Sequence, residues 1–268
     1  MGITMKSISR ISGCTFSSAV AILGLTLTLL WLTSAPGAEV KPLVADTVPT
    51  QDGDLKIYPI NHATLALQWK GKTIYVDPVG GAKAFEGLPA PDLILVCHIH
   101  GDHFDKATLS AVAGKAVFAA PPSVAEQMPT DLRPRTTVLT NGQRAEIAGI
   151  PVEAIPAYNT TQQRLNNHPK GRDNGYVLTL GGKRVYISGD TEDIPEMLAL
   201  KNIDVAFLCM NLPYTMDVTQ AAKAVRAFKP RIVYPYHSRG SDLEEFKKQV
   251  GTDAGVEVRI RDWYAPRG

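Results

Sequence analysis

The sequence predicts an α/β fold, a four-layer α/β/β/α sandwich of two mixed sheets, from three observations. Two hairpins of the same form recur, "LALQWKGKTIYVDP" (Leu65 to Pro78) and "YVLTLGGKRVYISGD" (Tyr176 to Asp190). Each is followed by a continuous apolar run, "PDLILVCHIH" (Pro91 to His100) and "IDVAFLCMNL" (Ile203 to Leu212). Each run is followed by a helix and another apolar strand. Strands apolar on both faces must be covered on both, which places the sheets face to face with helices outside.

The elements follow in chain order. Lys6 and Arg10 open the chain, "AVAILGLTLTLLWL" (Ala19 to Leu32) is uncharged and apolar, and "TSAPGA" supplies small residues before Glu39. That order reads as a secretory signal peptide over residues 1–38, with cleavage near Ala35 or Ala38, leaving residues 39–268 as a single domain. The apolar run falls short of the roughly 20 residues of a membrane span, although an uncleaved leader would act as an N-terminal membrane anchor. The protein is therefore expected to be exported, to a periplasm or to the extracellular space. No stable membrane span is expected after cleavage. Cys14 precedes the apolar run, unlike a lipoprotein cysteine, and no twin arginine is present.

Past the leader the hairpins turn on Lys-Gly and Gly-Gly, and each ends in an acidic residue, Asp77 and Asp190. In the first half "DKATLSAVAG" begins after Asp105 as N-cap and stops at Gly114, leading to "AVFAAP" (Ala116 to Pro121). In the second half "DVTQAAKAVRAFKP" begins at Asp217, has Gln220 three residues on, is stopped by Pro230, and leads to "RIVYPYH" (Arg231 to His237). Capping boxes then read as Ser123 with Glu126 and Ser241 with Glu244. The matching halves suggest an internal duplication. In such a sandwich the loops at one end of both sheets lie together, so a site built from both halves is expected there.

Composition narrows the function. Hydrophobic residues at 44% and charged residues at 20% are ordinary for a globular chain and leave no long disordered tail. The leader carries two positive and no negative charges, so Lys plus Arg falls from 28 to 26 against 26 Asp plus Glu. A formally neutral mature chain argues against non-specific nucleic-acid binding, which needs a basic surface. Cys97 and Cys209 remain; the reading as two buried thiols on strands is preferred to a disulfide.

The stretch "CHIHGDHFD" (Cys97 to Asp105) holds three of the chain's six histidines and two aspartates. In an extended segment side chains at i and i+2 share a side, so His98 and His100 can reach one metal ion. Asp102 continues that series, and His103 points away, toward a second ion. Imidazole and carboxylate together suit Zn²⁺. His168 sits in a polar loop before the second hairpin, while Asp190 and His237 end apolar strands. All three border the same expected rim.

"HIHGDH", the loop His168, "SGDTE" and "YPYH", in this order, resemble the metallo-β-lactamase superfamily. More narrowly they are similar to its ascorbate-6-phosphate-lactonase-like and N-acylphosphatidylethanolamine-phospholipase-like branch of metal-dependent hydrolases. "NHATLALQ", "VDP", "HPKG", "IDVAFL" and "NLPYTM" also resemble that branch, and the likeness runs from about Ile57 to about His237. The resemblance implies a single metallo-hydrolase domain with a dinuclear site. His98, His100 and His168 would hold the first metal, Asp102, His103 and His237 the second, and Asp190 would bridge them. Two divalent ions, zinc first with manganese or iron as alternatives, would lower the pKa of bound water from about 15.7 towards 7. The metal-bound hydroxide would then attack an ester, lactone or phosphodiester bond of a small molecule, with Asp102 orienting it and shuttling its proton.

Further residues border this constellation. His62 in "NHATLALQ" and Tyr158 with Asn159 at the start of the His168 loop are candidates for substrate binding, beside a core or loop role. Asp77 is a candidate for orienting a ligand histidine. Arg164, Lys170 and Arg172 make the loop cationic, which hints at an anionic substrate beside the plainer reading as solvated charge. Tyr214 and Met216 are candidates for the pocket wall. A β-lactam-hydrolysing enzyme is the alternative reading. A non-catalytic metal-binding module and an oxygen-reducing, flavin-partnered protein are weaker rivals, the latter because the first-metal positions read His-x-His and no flavin domain follows.

Overall fold

The computed structural model describes residues 43–265. The expected leader, over residues 1–38, lies outside them. Two seven-stranded mixed sheets form. The first runs in sequence order through β1 (Asp46–Thr50), β2 (Gly53–Asn61), β3 (Thr64–Trp69), β4 (Lys72–Val76), β5 (Leu93–Leu95), β6 (Val117–Ala120) and β7 (Thr136–Val138). The second runs through β8 (Arg144–Ile147), β9 (Ile150–Ala157), β10 (Asp173–Leu180), β11 (Lys183–Ile187), β12 (Val205–Cys209), β13 (Ile232–Tyr236) and β14 (Glu257–Val258). In each sheet the first four strands pair antiparallel and the last four parallel, so the second repeats the first strand for strand.

Local chemistry accounts for this pattern. Trp69 pairs with Lys72 around Lys70-Gly71, and Leu180 with Lys183 around Gly181-Gly182. All four turn residues have positive φ, as a two-residue hairpin turn matched to strand twist requires. Alternation then sorts the first sheet's side chains. Leu65, Leu67, Ile74, Val76, Leu93 and Leu95 join the larger core shared with the second sheet. Tyr75, Ile94, Phe118 and Ala120 face the other way and pack with Leu109, Val124 and Met128. Across the sheets, the buried Tyr176 hydroxyl donates to the Val96 carbonyl at 2.9 Å.

Helices α1 (Lys106–Val112) and α4 (Val218–Phe228) start where expected. Asp105 accepts from the Ala107 and Thr108 N–H groups, and Asp217 from Gln220 N–H. The helix α4 ends at Lys229, in left-handed conformation ahead of Pro230. The two capping boxes need correction. Helix α2 (Pro122–Ala125) has no side-chain cap, because the Ser123 hydroxyl donates instead to the Arg172 carbonyl. Helix α5 (Leu243–Val250) is capped one residue later than expected, by Asp242 accepting from Glu245 N–H, while Ser241 reaches across to the Met210 carbonyl. A short helix α3 (Pro195–Leu198) follows β11. Cys97 and Cys209 are buried free thiols. No helix among the described residues is long and apolar enough to cross a membrane.

Candidate metal centre

The carboxyl ends of the parallel strands of both sheets converge, which is where side chains released from the ladder gather in α/β folds. Asp77 follows β4, and His98, His100, Asp102 and His103 fill the loop after β5. Asp190 follows β11 and His237 follows β13. His168 comes from the loop between β9 and β10, and His62 from the turn between β2 and β3. Strand β5 stops at Leu95, so His98 and His100 lie in the loop beyond it. They still share a side: His98 Nε2 is 3.1 Å from His100 Nδ1.

Several of these residues are held in demanding backbone conformations. His62, Asp77 and His237 have φ of 52°, 44° and 45°. Left-handed backbone costs roughly 1–2 kcal/mol in a residue other than glycine, so it persists only where neighbours enforce it. The carbonyl of His62 accepts the His237 N–H at 3.0 Å, joining the two sheets at the site. Asp77 is fixed on both oxygens. Its Oδ1 accepts the Cys97 N–H at 2.7 Å and its Oδ2 lies 2.7 Å from His103 Nδ1. Glycine is required at Gly189, where φ is 60° and a Cβ would stand 2.8 Å from the Asn174 carbonyl oxygen. That close approach delivers Asp190 to the centre.

Asp190 divides the cluster between its two oxygens. Its Oδ2 is 3.3 Å from His168 Nε2 and 3.9 Å from His98 Nε2. Its Oδ1 is 3.4 Å from His103 Nε2 and 3.4 Å from His237 Nε2. His100 completes the first side. Asp102 completes the second, with Oδ2 3.3 Å from His237 Nε2. Three groups have ligand atoms within 4.8 Å of one another: His98, His100 and His168; His98, His103 and Asp190; and His62, Asp102 and His237.

The donor set fits divalent cations. His103 Nε2, His168 Nε2 and Asp190 Oδ1 are buried and have no hydrogen-bond partner. A buried polar atom left unpaired costs about 1–3 kcal/mol, and such atoms on both halves of the cluster suit cations. Protonation agrees. Burial, reinforced by neighbouring histidines, pushes His98 well below the ordinary imidazole range and lowers His100, which keeps both in the neutral form that ligates. Burial would raise Asp190, but the charges of His237 and His103 outweigh it and hold the carboxyl well below its usual range. Asp102 behaves alike: burial is outweighed by hydrogen bonds from His237 and His62. Burial of His103 is outweighed in turn by Asp190 and Asp77, and its pKa rises.

His62 is tied to this centre and to a residue that the sequence reading missed. The hydroxyl of Tyr264 accepts the Ser238 N–H at 2.8 Å and lies 2.9 Å from His62 Nδ1. Its own proton is therefore free to bond Nδ1. That leaves the imidazole proton on Nε2, which is 3.2 Å from Asp102 Oδ2. The ring of His62 also packs on that of His237, centroids 3.7 Å apart.

A cavity of about 630 Å³ opens over the cluster. Its lining includes His62, His100, Asp102, His168, Asp190 and His237 from the cluster, together with Asn61, Val79, Asn167, Asn211, Tyr214 and Arg239. A separate cavity of about 410 Å³, along β8 to β11, contains none of the clustered side chains. Tyr214 thus walls the pocket as expected, whereas Met216 is fully buried in the core.

Tyr158 and Asn159 do not line the cavity. The Tyr158 hydroxyl donates to Glu196 Oε2 at 2.9 Å, and the Asn159 amide donates to the carbonyls of Arg164 and Tyr214 at 3.0 and 2.8 Å. Asn159 thereby braces the pocket wall from behind. The loop's cations are also committed elsewhere. Arg164 pairs with the buried Glu192 and reaches the Thr215 carbonyl, and Arg172 pairs with Asp173. Lys170 sits 4.7 Å over the Tyr158 ring. These contacts hold the loop in place.

A family model described as the Beta-lactamase superfamily domain matches residues 56–237. The chain belongs to the metallo-β-lactamase superfamily. It is 33% identical over 218 residues to a UPF0173 metal-dependent hydrolase of Pyrococcus abyssi, covering 76% of this chain and 96% of the relative. The crystal structure of a Parabacteroides distasonis protein described as a metal-dependent hydrolase shares 43% identity at a TM-score of 0.76. It covers 82% of this chain and 99% of that one. A metallo hydrolase of Ignicoccus hospitalis, at 24% identity and a TM-score of 0.64, shares the fold over 77% of this chain and 94% of its own. The residues that match the family model include all six histidines, Asp77, Asp102 and Asp190, and end at His237. Arg239 and Tyr264 lie beyond it.

Proposed function

We propose that the protein is an exported, dinuclear metal-dependent hydrolase that opens an ester, lactone or phosphodiester bond in a small molecule. The observation that carries this reading is the division of Asp190 between two groups of ligand atoms. His98, His100 and His168 would hold one cation and Asp102, His103 and His237 the other, with Asp190 between them. Zinc suits these donors, and manganese or iron would accept them too. Two bound cations would supply acidified water, whose pKa falls from about 15.7 towards 7, and a Lewis acid for the scissile carbonyl or phosphoryl group.

The chain's own residues do the rest. Asp102, ionised and at the cavity surface, accepts a hydrogen bond from the attacking water and takes its proton. His62 donates to the same carboxylate and fixes its direction, with Tyr264 selecting the tautomer. Asp77 orients His103. Asp77→Asn replaces an anionic acceptor with a neutral amide, and such outer carboxylates are worth about 10–100-fold in metal affinity. Titration against a competing chelator is expected to show that loss at one of two sites.

The test of the activity is a panel of aryl esters, lactones, phosphodiesters and β-lactams, assayed before and after chelation and after metal is restored. Metal-dependent turnover of an ester, lactone or phosphodiester supports the proposal. A preference for β-lactams would replace it with the rival activity. Export rests on the leader. N-terminal mass analysis of the fractionated protein is expected to find a chain starting near residues 36–39 outside the cytoplasm.

A further inference from the structure

We infer that Arg239 is the residue that selects the substrate, and that the substrate carries an oxyanion, a carboxylate or a phosphate, beside the bond that is broken. The inference rests on the proposed hydrolytic site and names its substrate class. Arg239 is the one Lys or Arg among the residues that line the 630 Å³ cavity. It lies two residues past His237, on the loop that leaves β13, and it is exposed. Among the described residues its side chain makes no ion pair and no hydrogen bond. Its guanidinium is instead held 4.8 Å over the ring of Tyr264, whose hydroxyl meets His62 beside the metal cluster.

An arginine stacked on an aromatic ring is oriented while all its donors stay free, which suits two-point recognition of a carboxylate or phosphate. The carboxylates of the adjoining pocket do not compete for it. Asp217 and Asp242 cap α4 and α5, and Glu245 accepts from Lys248 and Gln249. The other cations of the rim are committed, as described above. The other lining residues outside the cluster are uncharged: Asn61, Asn167 and Asn211 offer amides, and Tyr214 is 52% exposed. One oriented cation in the same cavity as the clustered ligand residues, among otherwise neutral neighbours, defines a two-point site, with the scissile group at the cluster and the anionic group at Arg239.

The test uses aryl esters of equal length ending in a carboxylate, a phosphonate or a carboxamide, with the metal-loaded enzyme. The wild type is expected to prefer the anionic esters in kcat/KM by about 10–100-fold, mostly through KM, as charge-assisted bidentate bonds allow. The carboxylate and phosphonate arms separate the two anion types. Arg239→Ala is expected to bring the charged-to-neutral ratio to about one, Arg239→Lys to retain part of it, and Arg239→Glu to invert it. Equal use of charged and neutral esters by the wild type, or a preference that survives Arg239→Ala in a variant of unchanged melting temperature and metal content, overturns the inference. If no ester is cleaved, the hydrolytic proposal fails separately, and calorimetric titration with glutarate, phenylphosphonate and glutaramide decides this one. Anion binding weakened at least tenfold by Arg239→Ala sustains it, and unweakened binding overturns it.

Discussion

Asp190→Asn is expected to remove most of the bound metal and to lower kcat/KM by on the order of 10³-fold or more. One carboxylate serves both halves of the cluster through separate oxygens, His98 and His168 on Oδ2 and His103 and His237 on Oδ1. An amide presents one oxygen and one NH₂ donor, so one half would face a hydrogen-bond donor where a cation is needed. Metal-assisted charge stabilisation is worth several kcal/mol, and about 4 kcal/mol corresponds to roughly a thousandfold in rate. Elemental analysis of the variant beside its kinetics checks both parts. Full metal content with wild-type turnover would contradict the bridging role.

Asp102→Asn is expected to separate chemistry from binding. Asp102 is the most solvent-accessible acidic member of the cluster, its side chain 46% exposed, and it is aligned by His62 and His237 at 3.2 and 3.3 Å. The amide keeps an acceptor oxygen but cannot take a proton, and general base catalysis contributes about 10²–10⁴-fold. The expected result is a fall of that size in kcat with a much smaller change in KM. The cation served by His98, His100 and His168 is expected to stay bound. Equal loss of both cations would assign Asp102 a purely ligating role, and unchanged kcat would remove it from the mechanism.

The fold was legible because its signals are local. Lys70-Gly71 and Gly181-Gly182 dictate hairpin turns, Asp105 and Asp217 dictate helix starts, and apolar runs dictate buried strands. The duplication inferred from matching motifs reappears as two sheets of the same strand order. Capping failed where a tertiary partner won: Ser123 and Ser241 bond distant carbonyls rather than their own helices. The clustered side chains were legible for another reason, since His-x-His-x-Asp-His concentrates ligand types in one loop. What surrounds them was not. Tyr158 and Asn159 adjoin the His168 loop in sequence, yet β9 turns their side chains to Glu196 and to backbone carbonyls. Tyr264 reaches His62 from 202 residues away, a proximity with no signal in local pattern.

The most direct measurement of the central claim is the metal content of the protein purified without added metal, for the wild type and for His98→Ala. Two divalent ions per chain in the wild type, falling to about one in His98→Ala, is the expected result. Fewer than one ion per chain in the wild type, or a content that His98→Ala leaves unchanged, would contradict it.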